Sequence, residues 1–264
     1  MLSCEIMKLS TFFKYLNPKY LLSCRTGTCP ICCRRTAFLV LDEPETIRNH
    51  ALCIWCKSSS RHRHVALSII RKFQGEGIRR LSDFSRKPGI TVFNTSTQSH
   101  VAKALGKAGN IIHSEFFDDT VPGGYKNGVL NQDLRDLTFP DSSIDLVISE
   151  DVLEHVPELK RGLKEVHRVL KNGGVHVFSI PFHFDRRTKE LFTSENGKIS
   201  LLEPVEYHGD PVRGSIPCYA YIGYDILDYL DDMGFETRID FSRYADELKF
   251  GTFDCFTFIT TKTR

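Results

Sequence analysis

Residues 133–182 read DLRDLTFPDSSIDLVISEDVLEHVPELKRGLKEVHRVLKNGGVHVFSIPF, and the change of period along this stretch decides the fold class. IDLVIS (144–149) is a continuous apolar run bounded by turn residues, as expected of a strand buried on both faces. In ELKRGLKEVHRVLK, Leu159, Leu163, Val166 and Leu170 recur at i, i+4, i+7 and i+11, which is one face of a helix. Pro157 suits the first turn of that helix and Asn172-Gly173-Gly174 its end. VHVFSIPF (175–182) returns to the strand pattern. A strand, a helix and a strand in succession call for parallel pairing with the helix as crossover.

The same alternation extends outward. Upstream come a strand ITVF (90–93), a helix SHVAKALGKAG (99–109), a strand NIIHSEFF (110–117), a glycine-rich loop PGGYKNG and a short strand GVLNQDL (128–134). Downstream, residues 182–222 are polar, aromatic and without period, and read as an insertion or lid over the carboxyl edge of the sheet. A helix from Asp225 to Met233 and the strands FETRIDF and FDCFTFIT complete the chain. Before residue 90, RHRHVALSIIRKF (61–73) has helical spacing, with Val65, Leu67, Ile69 and Ile70 available for burial, and stops at the GEG of 75–77. The expected division is an N-terminal helical segment (1–28), a metal-binding module (29–60), a helical linker (61–89) and an α/β domain (90–264), with 182–222 as its lid. Short helices over 1–22 end at the Asn17-Pro18 turn signal.

Length and composition agree with an ordinary globular protein: 264 residues, 41% hydrophobic and 26% charged. No apolar run approaches the roughly 20 residues needed to cross a bilayer. The first residues lack a long apolar stretch with a small-residue cleavage site, so no signal peptide and a cytoplasmic location are expected.

Of nine cysteines, seven precede position 57. Cys29-x2-Cys32 and, 20 residues on, Cys53-x2-Cys56 have the two-knuckle spacing of a four-cysteine Zn²⁺ site, each turn aiming two thiolates at one ion. Such a closed site is structural; the competing reading is a redox CxxC pair. Cys33 adjoins Cys32, but the i, i+3 spacing favours Cys29 and Cys32 as the ligands; Cys4, Cys24, Cys218 and Cys255 are read as plain side chains. Charge is also uneven. Residues 1–89 hold 16 basic and 6 acidic side chains, and the remainder 19 and 27. A basic N-terminal module bearing Arg61, His62, Arg63, His64, Arg71, Lys72, Arg79 and Arg80 suits either a polyanion or an acidic neighbouring domain.

In an open parallel sheet, ligands bind beyond the carboxyl ends of the strands. The residues at those ends are Asn94, Thr95 and Ser96; Glu115 and Phe116; Asp133 and Leu134; and Glu150 and Asp151. With the FPDSSIDLVIS turn-strand, LEHV and RVLKNGG, the 133–182 stretch resembles the middle of a class I S-adenosylmethionine (SAM)-dependent methyltransferase of the type 11 kind. The paired CxxC, SSSRHR, SEFF and EYHGDP resemble a subgroup with an N-terminal zinc-ribbon-like module. The resemblance implies a Rossmann-like, seven-stranded, mostly parallel sheet with flanking helices. It also implies SAM held by the residues just named, Glu115 on the ribose and Asp133 near adenine, and Ser149 through His155 at the methionine end and the substrate mouth. The glycine-rich first loop of the family is replaced here by FNTSTQSH, which has no glycine.

Methyl transfer is an in-line displacement in which positioning dominates, and a hydroxyl acceptor benefits from a general base. His155, His183 and His208 are the catalytic candidates, with Asp151 and Asp210 as alternatives. The segment EPVEYHGDPVRG offers Glu206, Tyr207 and Asp210 for substrate contact. The expected function is methyl transfer from SAM to a small-molecule or glycan acceptor, at oxygen. The alternatives are an RNA methyltransferase whose basic zinc module grips the phosphate backbone, and a non-catalytic scaffold of the same fold. No membrane association is expected.

Overall fold

The computed structural model describes residues 25–39, 47–49, 51–195 and 198–264. The helices expected over 1–22, and Cys4 and Cys24, lie outside these residues. In chain order the elements are β1 (Arg25–Thr28), β2 (Arg35–Leu39), β3 (Leu52–Cys53), α1 (Ser60–Lys72), β4 (Val92–Asn94), α2 (His100–Leu105), β5 (Ile111–Glu115), β6 (Tyr125–Lys126), β7 (Val129–Asn131), β8 (Ile144–Glu150), α3 (Leu159–Val169) and β9 (Leu170–Ser179). Short strands follow: β10 (Phe182–His183), β11 (Lys189–Glu190), β12 (Phe192–Glu195), β13 (Lys198–Leu201), β14 (Tyr207–Asp210), β15 (Gly214–Pro217) and β16 (Ala220–Gly223). α4 (Ile226–Asp232), β17 (Phe235–Phe241), α5 (Tyr244–Phe250) and β18 (Phe256–Lys262) close the chain. No helix among the described residues is long and apolar enough to cross a membrane.

The chain divides into two compact units, one of residues up to His64 with Phe241–Cys255 and one of Val65–Asp240 with Phe256–Arg264. The division drawn from sequence places 241–255 in the α/β domain. The helix α5 within that segment carries no strong apolar period and is missed by pattern reading.

The larger unit is built on an eight-stranded sheet of order β17-β18-β9-β8-β4-β5-β7-β6. β5, β4, β8 and β9 run parallel, with Phe93 of β4 between Ile112 and Val147. β18 is antiparallel to β9. The eighth strand is an addition to the expected seven. The Asn127-Gly128 pair, with φ of 51° and 76°, makes a two-residue turn that folds β6 antiparallel onto β7.

Leu159, Leu163 and Val166 on α3 are buried against Phe93, Val147, Phe178 and Phe258 in one apolar cluster. Each such side chain contributes about 1.5–3 kcal/mol by leaving water. The helix ends at Val169 rather than at Asn172-Gly173-Gly174, because Leu170 already pairs with Ile144 as the first residue of β9. The glycines serve the strand instead. A Cβ on Gly174 would stand 2.7 Å from the Lys171 carbonyl oxygen, so the irregularity between Ile144 and Leu146 needs glycine there. The 182–222 segment, expected to be irregular, forms the hairpins β12–β13 and β14–β15 and the small sheet β10-β16-β11.

In the smaller unit β1, β2 and β3 form an antiparallel sheet. Phe38, Cys29, Ala51 and Cys53 make its buried centre.

Candidate active site and metal centre

The chain leaves β4 for β5 on one side and returns to β8 on the other, so the carboxyl ends of β4 and β8 flank the crevice where strand order reverses. The loop after β4 is held by side chains. Asn94 Nδ2 donates to the Ser96 carbonyl at 2.6 Å, and Ser96 Oγ accepts from the Gln98 and Ser99 amides at 3.2 Å each. Thr97 donates to Glu115 Oε1 through both its amide (2.6 Å) and its hydroxyl (2.7 Å). The hydroxyls thus fix a turn that glycines make elsewhere through backbone freedom.

Two features of this crevice suit a nucleoside. Glu115 is buried at the end of β5, and both Thr97 bonds go to Oε1, so Oε2 can accept from a hydroxyl such as a ribose carries. Thr95 Oγ1 is buried without a hydrogen-bond partner among the described residues, a cost a bound polar ligand removes. Asp133 is differently placed: Arg135 grips it through Nε (3.0 and 3.1 Å) and Nη2 (2.6 Å), and the Arg135 amide adds a bond of 2.8 Å. An adenine amino group must share this carboxylate with a guanidinium. Leu134 is buried in the core and Phe116 is half-buried, with the Arg213 guanidinium 5.8 Å from its ring centre. Asp151 stands at φ 50° after β8, where Ser179 Oγ donates to it at 2.8 Å, and Glu150 ends β8 itself. Ser149 is turned inward, its hydroxyl 2.8 Å from His176 Nε2.

The 182–222 segment brings two of the three candidate histidines together. His155 lies in a short 3-10 turn, Leu153–His155, after β8. Its Nδ1 is 2.7 Å from the Pro217 carbonyl and its Nε2 is 3.2 Å from His208 Nδ1 on β14. Burial is the main reason its imidazole sits below the ordinary histidine value, the Pro217 bond pulling the other way. His208 Nε2 is 3.2 Å from Glu206 Oε1. The Tyr221 hydroxyl holds the Glu206 carboxyl low against the effect of burial. Cys218 joins this cluster with Sγ 3.6 Å from His208 Nδ1, its thiol pushed up to about 12 by burial and then by Glu206 and Glu154. His183 stands apart on β10, edge-on to the Tyr221 ring at 5.8 Å. Asp210 closes its own hairpin, accepting from the Val212 and Arg213 amides at 2.8 and 2.6 Å, and Tyr207 is exposed. Cys218, read from sequence as a plain side chain, and Glu154, read only as part of the run Ser149 through His155, were not linked to residue 208, because no local spacing joins them.

In the smaller unit Cys29, Cys32, Cys53 and Cys56 bring their sulfurs within 4.8 Å of one another, with Cys29–Cys56 at 3.6 Å and Cys32–Cys53 at 3.9 Å. Four sulfurs on a tetrahedron of about 2.3 Å bonds are about 3.8 Å apart, so the set fits Zn²⁺. The knuckles repeat one another: Cys33 N donates to Cys29 O and Lys57 N to Cys53 O, both at 2.8 Å, with φ of 59° and 58° at Cys33 and Lys57. Cys33 itself is exposed. Of the basic cluster, Arg63 and His64 are interior and cannot reach a phosphate backbone.

Residues 98–178 match a family model described as a methyltransferase domain. Over 55 residues the chain is 38% identical to 2-methyl-6-phytyl-1,4-hydroquinone methyltransferase 2, chloroplastic, of Oryza sativa subsp. japonica, spanning 21% of this chain and 16% of that protein. It is 37% identical over 57 residues to sarcosine/dimethylglycine N-methyltransferase of Halorhodospira halochloris, which is 22% of this chain and 20% of that one. It is 31% identical over 84 residues to demethylmenaquinone methyltransferase of Lysinibacillus sphaericus, 29% and 36% of the two chains. The chain therefore spans well under two thirds of these relatives. Among solved structures, an S-adenosylmethionine dependent methyltransferase from Mesorhizobium loti is 17% identical, covers 69% of this chain and 98% of its own, and superposes with a TM-score of 0.39. Residues 98–178 are thus similar to a methyltransferase domain, and the sheet order is that of a Rossmann-like α/β domain.

Proposed function

We propose that this chain is a SAM-dependent methyltransferase acting on a small-molecule or glycan acceptor at oxygen. The observation that carries the reading is the crevice at the carboxyl ends of β5, β4 and β8, where the buried Glu115 carboxylate is bonded to the loop after β4 that also carries the unpartnered Thr95 hydroxyl. Glu115 holds the ribose, Thr95 and Ser96 the methionine side, and Asp133 with Leu134 and Phe116 the adenine. Glu150 and Asp151 stand at the end of β8 beside them. When bound, the cofactor supplies a methyl group on a positively charged sulfur. The chain's own part is to orient the acceptor and take its proton.

His183, on the strand that leaves the carboxyl end of β9 and apart from the His155–His208 pair, is the residue best placed to accept that proton. Glu206, bonded to the Tyr221 hydroxyl, and the exposed Tyr207 are offered to the acceptor by the same 182–222 segment. Curated relatives act by name on a hydroquinone, on sarcosine or dimethylglycine, and on demethylmenaquinone, so acceptor identity varies among proteins similar to this segment. The interior placement of Arg63 and His64 weakens the RNA reading. Fixing Cys29, Cys32, Cys53 and Cys56 is the structural role of Zn²⁺ in the N-terminal unit.

Calorimetric titration with SAM and with its demethylated product tests the reading. Micromolar binding of both is expected, with Glu115→Gln weakening each about 10- to 100-fold, the cost of a hydrogen bond to a charged acceptor of about 1.5–3 kcal/mol. Absence of binding by the wild-type chain removes the proposal.

A further inference from the structure

The His155–His208 pair presents a problem of hydrogen bookkeeping. His155 Nδ1–H donates to the Pro217 carbonyl at 2.7 Å, which leaves Nε2 with a bare lone pair. His208 Nε2–H donates to Glu206 Oε1 at 3.2 Å, which leaves Nδ1 equally bare. These two lone pairs face each other across 3.2 Å. Either a hydrogen on His208 Nδ1, in the other neutral tautomer or in the protonated ring, or a metal ion must lie between them.

The surroundings favour the metal. Cys218 Sγ is 3.6 Å from His208 Nδ1, and Glu154 Oε1 is 3.7 Å from His155 Nε2 and 3.9 Å from His208 Nδ1. Cys218 and Glu154 are both buried. For zinc, with bonds of about 2.0–2.1 Å to nitrogen or oxygen and about 2.3 Å to sulfur, tetrahedral edges are about 3.3–3.6 Å. The donor atoms of His155, His208 and Cys218 all lie within 4.8 Å of one another. Sγ is 3.4 Å from His208 Nε2, slightly nearer than to Nδ1, so the site requires the Cys218 side chain or the His208 ring to rotate toward the shared ion.

We propose that His155 Nε2, His208 Nδ1, Cys218 Sγ and Glu154 Oε1 form a second metal site, selective for Zn²⁺ and ions of its class. The donor set of two imidazoles, one thiolate and one carboxylate suits that borderline-soft ion. One thiolate and one carboxylate balance the double charge, so the buried site is neutral when filled. The Pro217 carbonyl and the Glu206 carboxylate are the outer partners that fix both imidazole tautomers, as at metal-bound histidines generally. The site joins residues far apart in sequence: the turn after β8 supplies 154 and 155, β14 supplies 208, and the segment after β15 supplies 218. Its effect is to staple the lid hairpin to the carboxyl edge of the sheet. It does not depend on methyl transfer.

The test is the zinc content of the full chain, purified without chelator and measured by inductively coupled plasma mass spectrometry. Cys218→Ser and His208→Gln are each expected to lower the content by one ion per chain relative to wild type. The drop is the readout, so the result does not depend on whether the four-cysteine site is filled. Equal metal content in wild type and both variants overturns the site and leaves a hydrogen on His208 Nδ1 facing His155. Should Cys218→Ser fail to fold, His208→Gln decides, since that side chain is 33% exposed. Cobalt substitution gives a second readout. Ligand-field bands of a one-thiolate site, present in wild type and lost in His208→Gln, support the proposal, and an unchanged spectrum refutes it.

Discussion

Replacing Arg63 by methionine tests whether the basic stretch before residue 90 acts through its charges at the surface or as structure. Arg63 is fully buried, and its guanidinium binds four main-chain carbonyls of the smaller unit. Nε donates to Phe250 O at 2.9 Å, Nη2 to Ala51 O at 2.6 Å and Gly251 O at 2.5 Å, and Nη1 to Ser58 O. The same group lies 4.3 Å from the centre of the Phe38 ring. Burial pulls its pKa down to about 10, against the opposing thiolates of Cys29 and Cys53, so it stays charged at neutral pH. Methionine fills most of the volume but donates nothing. Four carbonyls lose their partner at about 1 kcal/mol each or more, partly offset by no longer burying a charge. The expected loss is about 3–5 kcal/mol, a large part of the 5–15 kcal/mol by which domains are stable. Denaturant unfolding measures it, and faster reaction of Cys29 and Cys53 with a chromogenic disulfide reports local opening. Arg63→Lys, with a single ammonium for four acceptors, should fall between the two. A loss under about 1 kcal/mol in Arg63→Met, with unchanged thiol reactivity, refutes the reasoning.

Two further outcomes follow from the same structure. Cys53→Ser removes one of four sulfur ligands and should release the zinc of the N-terminal unit and open it to trypsin, as should a strong chelator; retained metal with an intact proteolysis pattern contradicts a structural site. His176 is held neutral down to about pH 3 by complete burial, while the unfolded chain takes up a proton near the ordinary 6.5. The unfolded state therefore binds more protons between these values, and this residue's contribution to stability falls by about 1.4 kcal/mol per pH unit below 6.5, or about 2 kcal/mol at pH 5. His176→Phe should flatten the pH dependence of unfolding by that amount; parallel curves for the two proteins contradict it.

Much of the α/β unit is legible in the sequence because its signals are local. The α3 face of Leu159, Leu163 and Val166, and the uninterrupted β8, read directly from periodicity, since a helix or buried strand must show its apolar residues at its own repeat. The cysteine knuckles read the same way, because each CxxC turn places its own two sulfurs. The glycine-free loop was visible, but its solution was not. That Ser96 and Thr97 would cap the turn and engage Glu115 depends on β4 and β5 being neighbours. The end of α3 was misplaced because Asn172-Gly173-Gly174 signals a turn without saying whether it closes a helix or relieves a strand, a choice made by the pairing of Leu170 with Ile144.

What the sequence determined by itself is the Rossmann-like α/β class, the four-cysteine cluster and which residues stand at the carboxyl ends of the strands, all of them set by short-range spacing. Only the tertiary structure decided that Arg63 is a buried cross-link, that Asp133 is gripped by Arg135, and that His155, His208 and Cys218 converge with Glu154 beside the two imidazoles. The physical reason is chain geometry. Residues 154 and 218 meet only when a lid of irregular pattern folds back over the sheet edge, and its register there is fixed by bonds such as Tyr219 N to Glu154 O (2.7 Å), which no periodicity encodes.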